Sequence, residues 1–465
     1  MLKQLLRPDK QAMVLAGVAV MASASLVLMG CGARAQPETA KSAKPAASGD
    51  AAGQREDLDA FERDFFNVDR SYSKVAREAA SQRIADLRKN AGSVSDTLFV
   101  LRLAQIAALA DNGHTLLLEA GNTASPGLGI RLSLLDRDYW VLQAADAYAD
   151  LLGGRLIAID DTPIDRLRET ARTLWGGIES RRDQRASTFL ESPSQLYALG
   201  MTKRETMATY HFMMRDGSVR IVELGPDPTR SWVDASRVML PEIAAKGWQT
   251  LLATHRAPWS LGDVDDAFRL QDQPALDAMV LQLRANMNAG RSIAEFLNEA
   301  EAARKKAGRK NVVLDMRMNG GGNLQLTRKW MSELPAKLPT SGRVVVLTSP
   351  WTFSAAISSI GYLKQSGGAR VIIAGEPIGD RLQFWAEGQP IVLPHSGALI
   401  LMATQRHDYV GGCKTFSDCH EYVVNHPIAV PNLDPDVLAP WTIDAYMAGR
   451  DPGMEAAARI LTRPR

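Results

Sequence analysis

Two short stretches of this chain carry residues that could handle an acyl group. The first, residues 311–322, reads NVVLDMRMNGGG; the second, residues 344–356, reads VVVLTSPWTFSAA. In each, an uninterrupted apolar run (Val312–Leu314, then Val344–Leu347) predicts a buried strand that ends in a tight turn and leads into a helix. The turn at Asn319–Gly322 has three glycines, which let backbone N–H groups approach a ligand without Cβ obstruction. The turn at Ser349–Phe353 puts Ser354 at the mouth of the next helix, followed by the small residues Ala355 and Ala356. A helix N-terminus adds unpaired donors and the positive end of the helix dipole. Together these are the parts of an oxyanion site with a hydroxyl nucleophile beside it. A plainer reading fits the same residues: serine is a common helix N-cap, and glycine-rich strand–helix turns occur in many α/β folds.

The paired motifs resemble those of the C-terminal processing and tricorn-type serine peptidases, family S41. Asp315, Arg317, Asn319, Gly321 and Gly322 match the D-x-R-x-N-x-G-G turn of that family, and Thr352, Ser354, Ala355 and Ala356 match its T-x-S-A-A turn. The resemblance implies Ser354 as nucleophile and the backbone N–H groups of Gly321 and Ala355, or of a neighbouring glycine, as the oxyanion hole. Asp315 and Arg317 are expected to brace the turn. Residues 111–115, DNGHT, resemble the D-G-H-T element of the tricorn-like branch, which implies His114 as general base. An imidazole titrates near neutrality, so it can take the serine proton and return it to a leaving amine.

The chain also departs from the family. In the processing proteases, a G-E-x-T-x-G-K turn holds the lysine of a Ser–Lys dyad; here residues 375–381 read GEPIGDR, with Asp380 or Arg381 at that place. Arginine stays protonated and is a poor base, which favours the His114 mechanism. The serine and glutamate that complete the tricorn-like tetrad are replaced by Gly113 and by Ala429–Pro431. Asp111, Glu421 and His426 are the candidates for a supporting role, and the sequence does not choose among them.

The elements around these motifs predict a multidomain α+β chain. Residues 1–31 read as an export signal: Lys3, Arg7 and Lys10 precede an apolar run from Ala12 to Met29, and Leu28-Met29-Gly30-Cys31 resembles a bacterial lipobox in which Cys31 would carry lipid. Cleavage after Ala33-Arg34-Ala35 and retention as an anchor helix are the rival readings, and all three place the body outside the cytoplasm, in the bacterial cell envelope. Residues 32–54, rich in Ala, Lys, Pro, Ser and Gly, read as a flexible tether. Residues 55–115 read as an N-terminal helical bundle, with Leu58, Phe61 and Phe65 on one face, then Val75, Ala79, Ile84 and Leu87, then Phe99, Leu103 and Ile106. Residues 116–262 read as a β-rich intermediate region. Within it, Gly153–Ile164 resembles the closing half of a PDZ-like module, and Asp216-Gly217 marks a hairpin. Trp232, Trp248 and Trp259 are expected to pack rather than to line a cleft. Residues 263–465 read as the catalytic α/β core, with an S-x-x-E capping box at Ser292–Glu295. The family resemblance implies a ClpP/crotonase-like fold for this core.

A formal net charge of +2 over 465 residues, with basic residues dispersed, gives no footprint for nucleic acid. In an oxidising compartment Cys413 and Cys419 are expected to pair, and no ligand spacing for a metal is evident. No cofactor is expected. Three readings follow: an exported, lipid-anchored serine peptidase acting on polypeptide; a peptide-binding protein on a peptidase scaffold; and a non-peptidase acyl enzyme.

Overall fold

The computed structural model describes residues 49–118, 127–231 and 233–462. Cys31, the signal, the tether up to residue 48 and Trp232 lie outside the described residues. The N-terminal part is helical: α1 (Ala51–Ala60) runs on into a wider turn at Phe61–Phe66, followed by α2 (Lys74–Lys89) and α3 (Asp96–Ala108). Each helix starts at a side-chain cap, Asp50, Ser73 and Ser95 accepting from Ala52, Ala76 and Leu98. The first helix begins before residue 54, inside the stretch read as tether. The reason is local: Gln54 is buried, and its amide donates to Val94 O and to Asp96. The expected face of α2 is also corrected, because Val75 is 76% exposed and Ala80 takes its place inside.

Strand β1 (Leu116–Leu118) follows, then an antiparallel sheet of β2 (Ile130–Leu135), β3 (Asp138–Ala145), β4 (Arg155–Ile159), β5 (Ala208–Met213) and β6 (Val219–Leu224), with β7 (Trp248–Thr250) on β3. The hairpin between β5 and β6 turns at Gly217, whose φ of 84° suits glycine. Two helices, α4 (Ile164–Arg172) and α5 (Glu179–Leu190), pack over this sheet. Trp248 is buried with the Arg131 guanidinium 4.3 Å from its ring, so it packs as expected.

The third part is a six-stranded sheet. Its strands are β8 (Phe268–Gln273), β9 (Ala278–Leu283), β10 (Asn311–Asp315), β11 (Val344–Thr348), β12 (Val371–Gly375) and, beyond further elements, β16 (Val437–Leu438). All neighbours pair parallel except β8 with β9. The crossovers are α6 (Ile293–Ala307), α7 (Gln325–Lys337) and α8 (Ala355–Gly367). Every residue of β9, β10 and β11 is buried, as a parallel sheet covered on both faces requires. Alternate residues divide between two cores: Met279, Leu281, Val312 and Leu314 face α6, α7 and α8, while Ala278, Val280 and Val313 face α9 (Pro452–Thr462). A further ribbon joins β13 (Gln383–Glu387) to β15 (Ala403–Asp408), and β14 (Leu399–Leu401) pairs with β1.

The N-terminal helices do not keep a core to themselves. Leu58, Phe61, Phe99 and Ile106 share one buried cluster with β2, β3, β5 and with Leu393, Ile400 and Met402. The loop between α3 and β1, which carries His114, is therefore held from both ends of the chain.

Candidate active site

The turn after β11 is built from its own short side chains. Thr352 Oγ1 accepts from Ser349 N at 3.0 Å and donates to Met316 O at 2.9 Å, which ties this turn to the end of β10. Phe353 N donates to Asn319 O at 3.0 Å, so the two turns expected to cooperate are bonded directly. Arg317 is buried and pairs with both Asp315 (2.8 Å) and Asp451 (2.7 Å), bracing the glycine turn from below. Ser354 takes φ 55° and ψ −125°, a region that non-glycine residues rarely occupy, and its side chain makes no capping bond to α8. The helix-cap reading of this serine is thereby removed. The N–H of Ala355, first residue of α8, has no acceptor among the described residues.

Gly321 is where the oxyanion expectation needs correction. Its N–H donates to Asn319 Oδ1 at 3.0 Å, so it is not free for a substrate oxygen. The N–H groups of Gly320 and Gly322 make no such bond among the described residues, and both residues are exposed. Gly321 is instead required for space: a Cβ there would stand 2.6 Å from Ser354 Cβ, at a φ of 106°. Behind the glycine turn lies a buried polar cluster that the sequence reading missed. Asn286 Nδ2 reaches Ser359 Oγ (2.7 Å), Thr327 Oγ1 (3.1 Å) and Ala355 O (3.1 Å), and its Oδ1 accepts from Asn319 (2.9 Å).

His114 arrives at this turn from the loop after α3. Asn112 fixes the loop by exchanging hydrogen bonds with the backbone of Trp385, both at 3.0 Å. Thr115 Oγ1 donates to the buried Asp69 at 3.0 Å. The imidazole is stacked between Phe353 and Phe384, with ring centroids 4.2 and 5.0 Å away. Phe353 is the residue immediately before Ser354. His114 Nδ1 lies 3.4 Å from Asp380 Oδ2, and Asp380 is 4% exposed. Both imidazole nitrogens and this carboxylate oxygen are buried and without a hydrogen-bond partner. Gly113 is needed at the crossing, since a Cβ would come within 2.7 Å of Asp380 Oδ2 and 3.0 Å of the Phe353 ring.

None of the three supporting candidates singled out from sequence pairs with the imidazole among the described residues. Asp111 is exposed and pairs with Arg381 at 2.8 Å, because φ 48° turns it outward. Glu421 lies in the first turn of a short helix, Glu421–Asn425, beside His420. His426 lies against Tyr422, with ring centroids 4.6 Å apart and planes tilted by 60°. Asp380, which stands at or beside the place of the processing-protease lysine, is the acid that meets His114.

The stack continues past Phe384 to His407 (4.9 Å) and His420 (5.5 Å). His407 Nδ1 and Tyr409 Oη are 2.8 Å apart, Tyr409 Oη and Ser358 Oγ 2.6 Å. Desolvation acts to raise the Glu387 carboxyl, but His407, with Nε2 3.3 Å away, and the charges of His420 and His114 draw it down to about 2. Cys413 and Cys419 lie on the loop ahead of His420, with Cα atoms 5.9 Å apart, a separation a disulfide spans. No cluster of three or more metal-ligating side chains occurs among the described residues.

No protein-family model matches this sequence, and no curated protein matches it. Solved structures do match. Mature CPAF complexed with lactacystin superposes with a TM-score of 0.58 at 12% identity, over 88% of this chain and 98% of that one. The S499A mutant of CPAF gives 0.55 at 12% identity, over 88% and 97%. A putative S41 protease from Bacteroides fragilis NCTC 9343 aligns over 76% of this chain and 87% of its own, with a TM-score of 0.34 at 15% identity. The class defined by fold is thus a mixed helix-and-sheet, multidomain architecture shared with mature CPAF. Within that class, the CPAF structures share the architecture over nearly their full length.

Proposed function

We propose that this protein is a serine peptidase that cleaves polypeptide through an acyl-enzyme on Ser354. The observation that carries the reading is the meeting of His114, Asp380 and the Ser354 turn, three segments remote in sequence, at one buried crossing. His114 Nδ1 faces Asp380, which leaves Nε2 for the serine proton. Ser354 Oγ attacks the scissile carbonyl as His114 accepts its proton, and Asp380 stabilises the resulting imidazolium. The tetrahedral oxygen is held by the N–H of Ala355 and by that of Gly320 or Gly322. His114 then returns the proton to the leaving amine, and water hydrolyses the ester by the same steps. Since neither imidazole nitrogen has a hydrogen-bond partner in the structure, the His–Ser hydrogen bond forms on substrate binding.

The finer architecture belongs to the same reading: a ClpP/crotonase-like core, a PDZ-like module around β2–β6, and α1–α3 as an N-terminal helical unit. We assign residues 1–31 to an export signal with lipid on Cys31, the body to the cell envelope, and Cys413–Cys419 to a disulfide. The test is turnover of an unstructured polypeptide by the wild-type protein, Ser354→Ala and His114→Ala. The expected result is cleavage by wild type and a loss of about 10³-fold or more in kcat for each variant. Cleavage by Ser354→Ala at the wild-type rate would refute the assignment.

A further inference from the structure

We infer that Asp69 is a positioning residue for His114: its buried carboxylate ties the loop that carries the imidazole to the ribbon that carries Phe384. The role rests on the reading of His114 as the base. The imidazole has no hydrogen-bond partner among the described residues, and Asp380 Oδ2 stands 3.4 Å away. Its place is therefore set by the stacking rings and by the backbone on either side. Gly113, just before it, has no Cβ and restrains the backbone least. Two side-chain anchors flank this pair. Asn112 is tied to the Trp385 backbone and also donates to Thr115 Oγ1 at 3.0 Å. Thr115, fully buried, passes the connection on to Asp69.

Asp69 is 1% exposed and gathers donors from three segments. Oδ1 accepts from the N–H (2.8 Å) and the hydroxyl of Ser71, and Oδ2 accepts from Thr115 Oγ1 (3.0 Å) and Ala403 N (2.7 Å). Ala403 opens β15, and its carbonyl accepts from Arg70 N at 2.9 Å, so residues 69 and 70 take up both of its backbone polar groups. β15 pairs with β13, where Phe384 lies opposite His407. One side chain thus holds the loop bearing the imidazole in register with the ribbon bearing a ring stacked on it. The arrangement needs an acid and not its amide. Each Asp69 oxygen faces a backbone N–H, and an N–H cannot turn round to accept. Asparagine has a single carbonyl oxygen, so in either orientation its NH2 group would confront one of those N–H groups. The shape would be kept while a bond to the Ser71 or the Ala403 backbone was lost.

Two measurements on the full-length protein test this: amide hydrogen exchange followed by mass spectrometry, and the rate at which a fluorophosphonate labels Ser354. The variants are Asp69→Asn, Thr115→Val and Thr115→Ser, with melting temperature establishing that each is folded. Thr115→Val keeps the side-chain shape and deletes the donor to Asp69, so it carries the same expectation if Asp69→Asn does not fold. Asp69→Asn and Thr115→Val should exchange at least about tenfold faster over residues 114–118, with residues 344–356 unchanged. Labelling should slow by about tenfold or more in both, while Thr115→Ser, which keeps the hydroxyl, behaves as wild type in both measurements. In a His114→Ala background Asp69→Asn should add no further slowing, because a residue that acts through the imidazole has nothing left to act on. Wild-type exchange over 114–118 overturns the inference, as does a rise of equal size across the parallel sheet. A slowing of the same factor with and without His114 also overturns it. A wild type that does not label, alongside the expected change in exchange, would remove the peptidase reading and uphold Asp69 as the anchor of the loop.

Discussion

At Ser354 the backbone sits at φ 55° and ψ −125°, a conformation that costs of the order of 1–3 kcal/mol for a residue with a side chain. The turn holds it there with the Thr352 hydrogen bonds and the bond from Phe353 N to Asn319 O. The strain is local, and the hydroxyl at the helix mouth is not spent on a cap. Glu376 is a second residue whose state is set by its surroundings. Burial raises its carboxyl to about 7, only partly opposed by a hydrogen bond from the Trp441 backbone and the charge of Arg317. Its folded pKa thus lies above the unfolded value of about 4.3. The folded state then holds a proton that the unfolded state has lost, and stability falls as pH rises from about 4.5 to about 7. Glu376→Gln should flatten this part of the stability–pH curve, measured by urea unfolding at several pH values. An unchanged slope would show that Glu376 titrates normally.

At the scale of elements, the glycine turn and α8 act as one unit because Asn286 joins them. Its amide links Asn319 to Ser359 and Ala355 O, so the glycine turn and the first turn of α8 share a buried brace. Asn286→Ala would leave several buried polar groups unpaired, at about 1–3 kcal/mol for each group left unsatisfied. The expected outcome is a lower melting temperature together with a kcat reduced about 10–100-fold in the folded protein and a smaller change in KM. Undiminished kcat in the folded variant would reduce Asn286 to a packing residue. This brace was not legible in the sequence, because an isolated Asn carries no period and no motif. The strands and helices flanking it were legible, since β10 and β11 are continuous apolar runs and Ser292 caps α6 as its spacing requires. Where periodicity failed, the cause lay in tertiary contacts. Val75 has the right spacing but faces water, and Gln54 looks like tether but is buried against Val94 and Asp96. The same holds within the site. Ser354 and His114 announce themselves by motif, whereas the choice of donor among Gly320, Gly321 and Gly322 depends on where the Asn319 side chain folds back.

Over the whole molecule, the candidate site exists only where distant parts of the chain meet. The His114 loop leads into β1, which pairs with β14, and the N-terminal helices share their core with Leu393, Ile400 and Met402. Ser354 stands on the parallel sheet, and Asp380 follows β12 of the same sheet. The separation of His114 and Ser354 in the sequence is thus closed by hydrophobic burial and strand pairing, and anything that frees the N-terminal part should also remove the proposed base. The most direct test of the central claim is the rate at which a fluorophosphonate probe labels the full-length protein at neutral pH, with the modified residue identified by peptide mapping. The account predicts labelling of wild type on Ser354, none of that residue's adduct in Ser354→Ala, and labelling slowed about 10³-fold or more in folded His114→Ala. Labelling of Ser354 in His114→Ala at the wild-type rate, or a folded wild type that does not react, would contradict it.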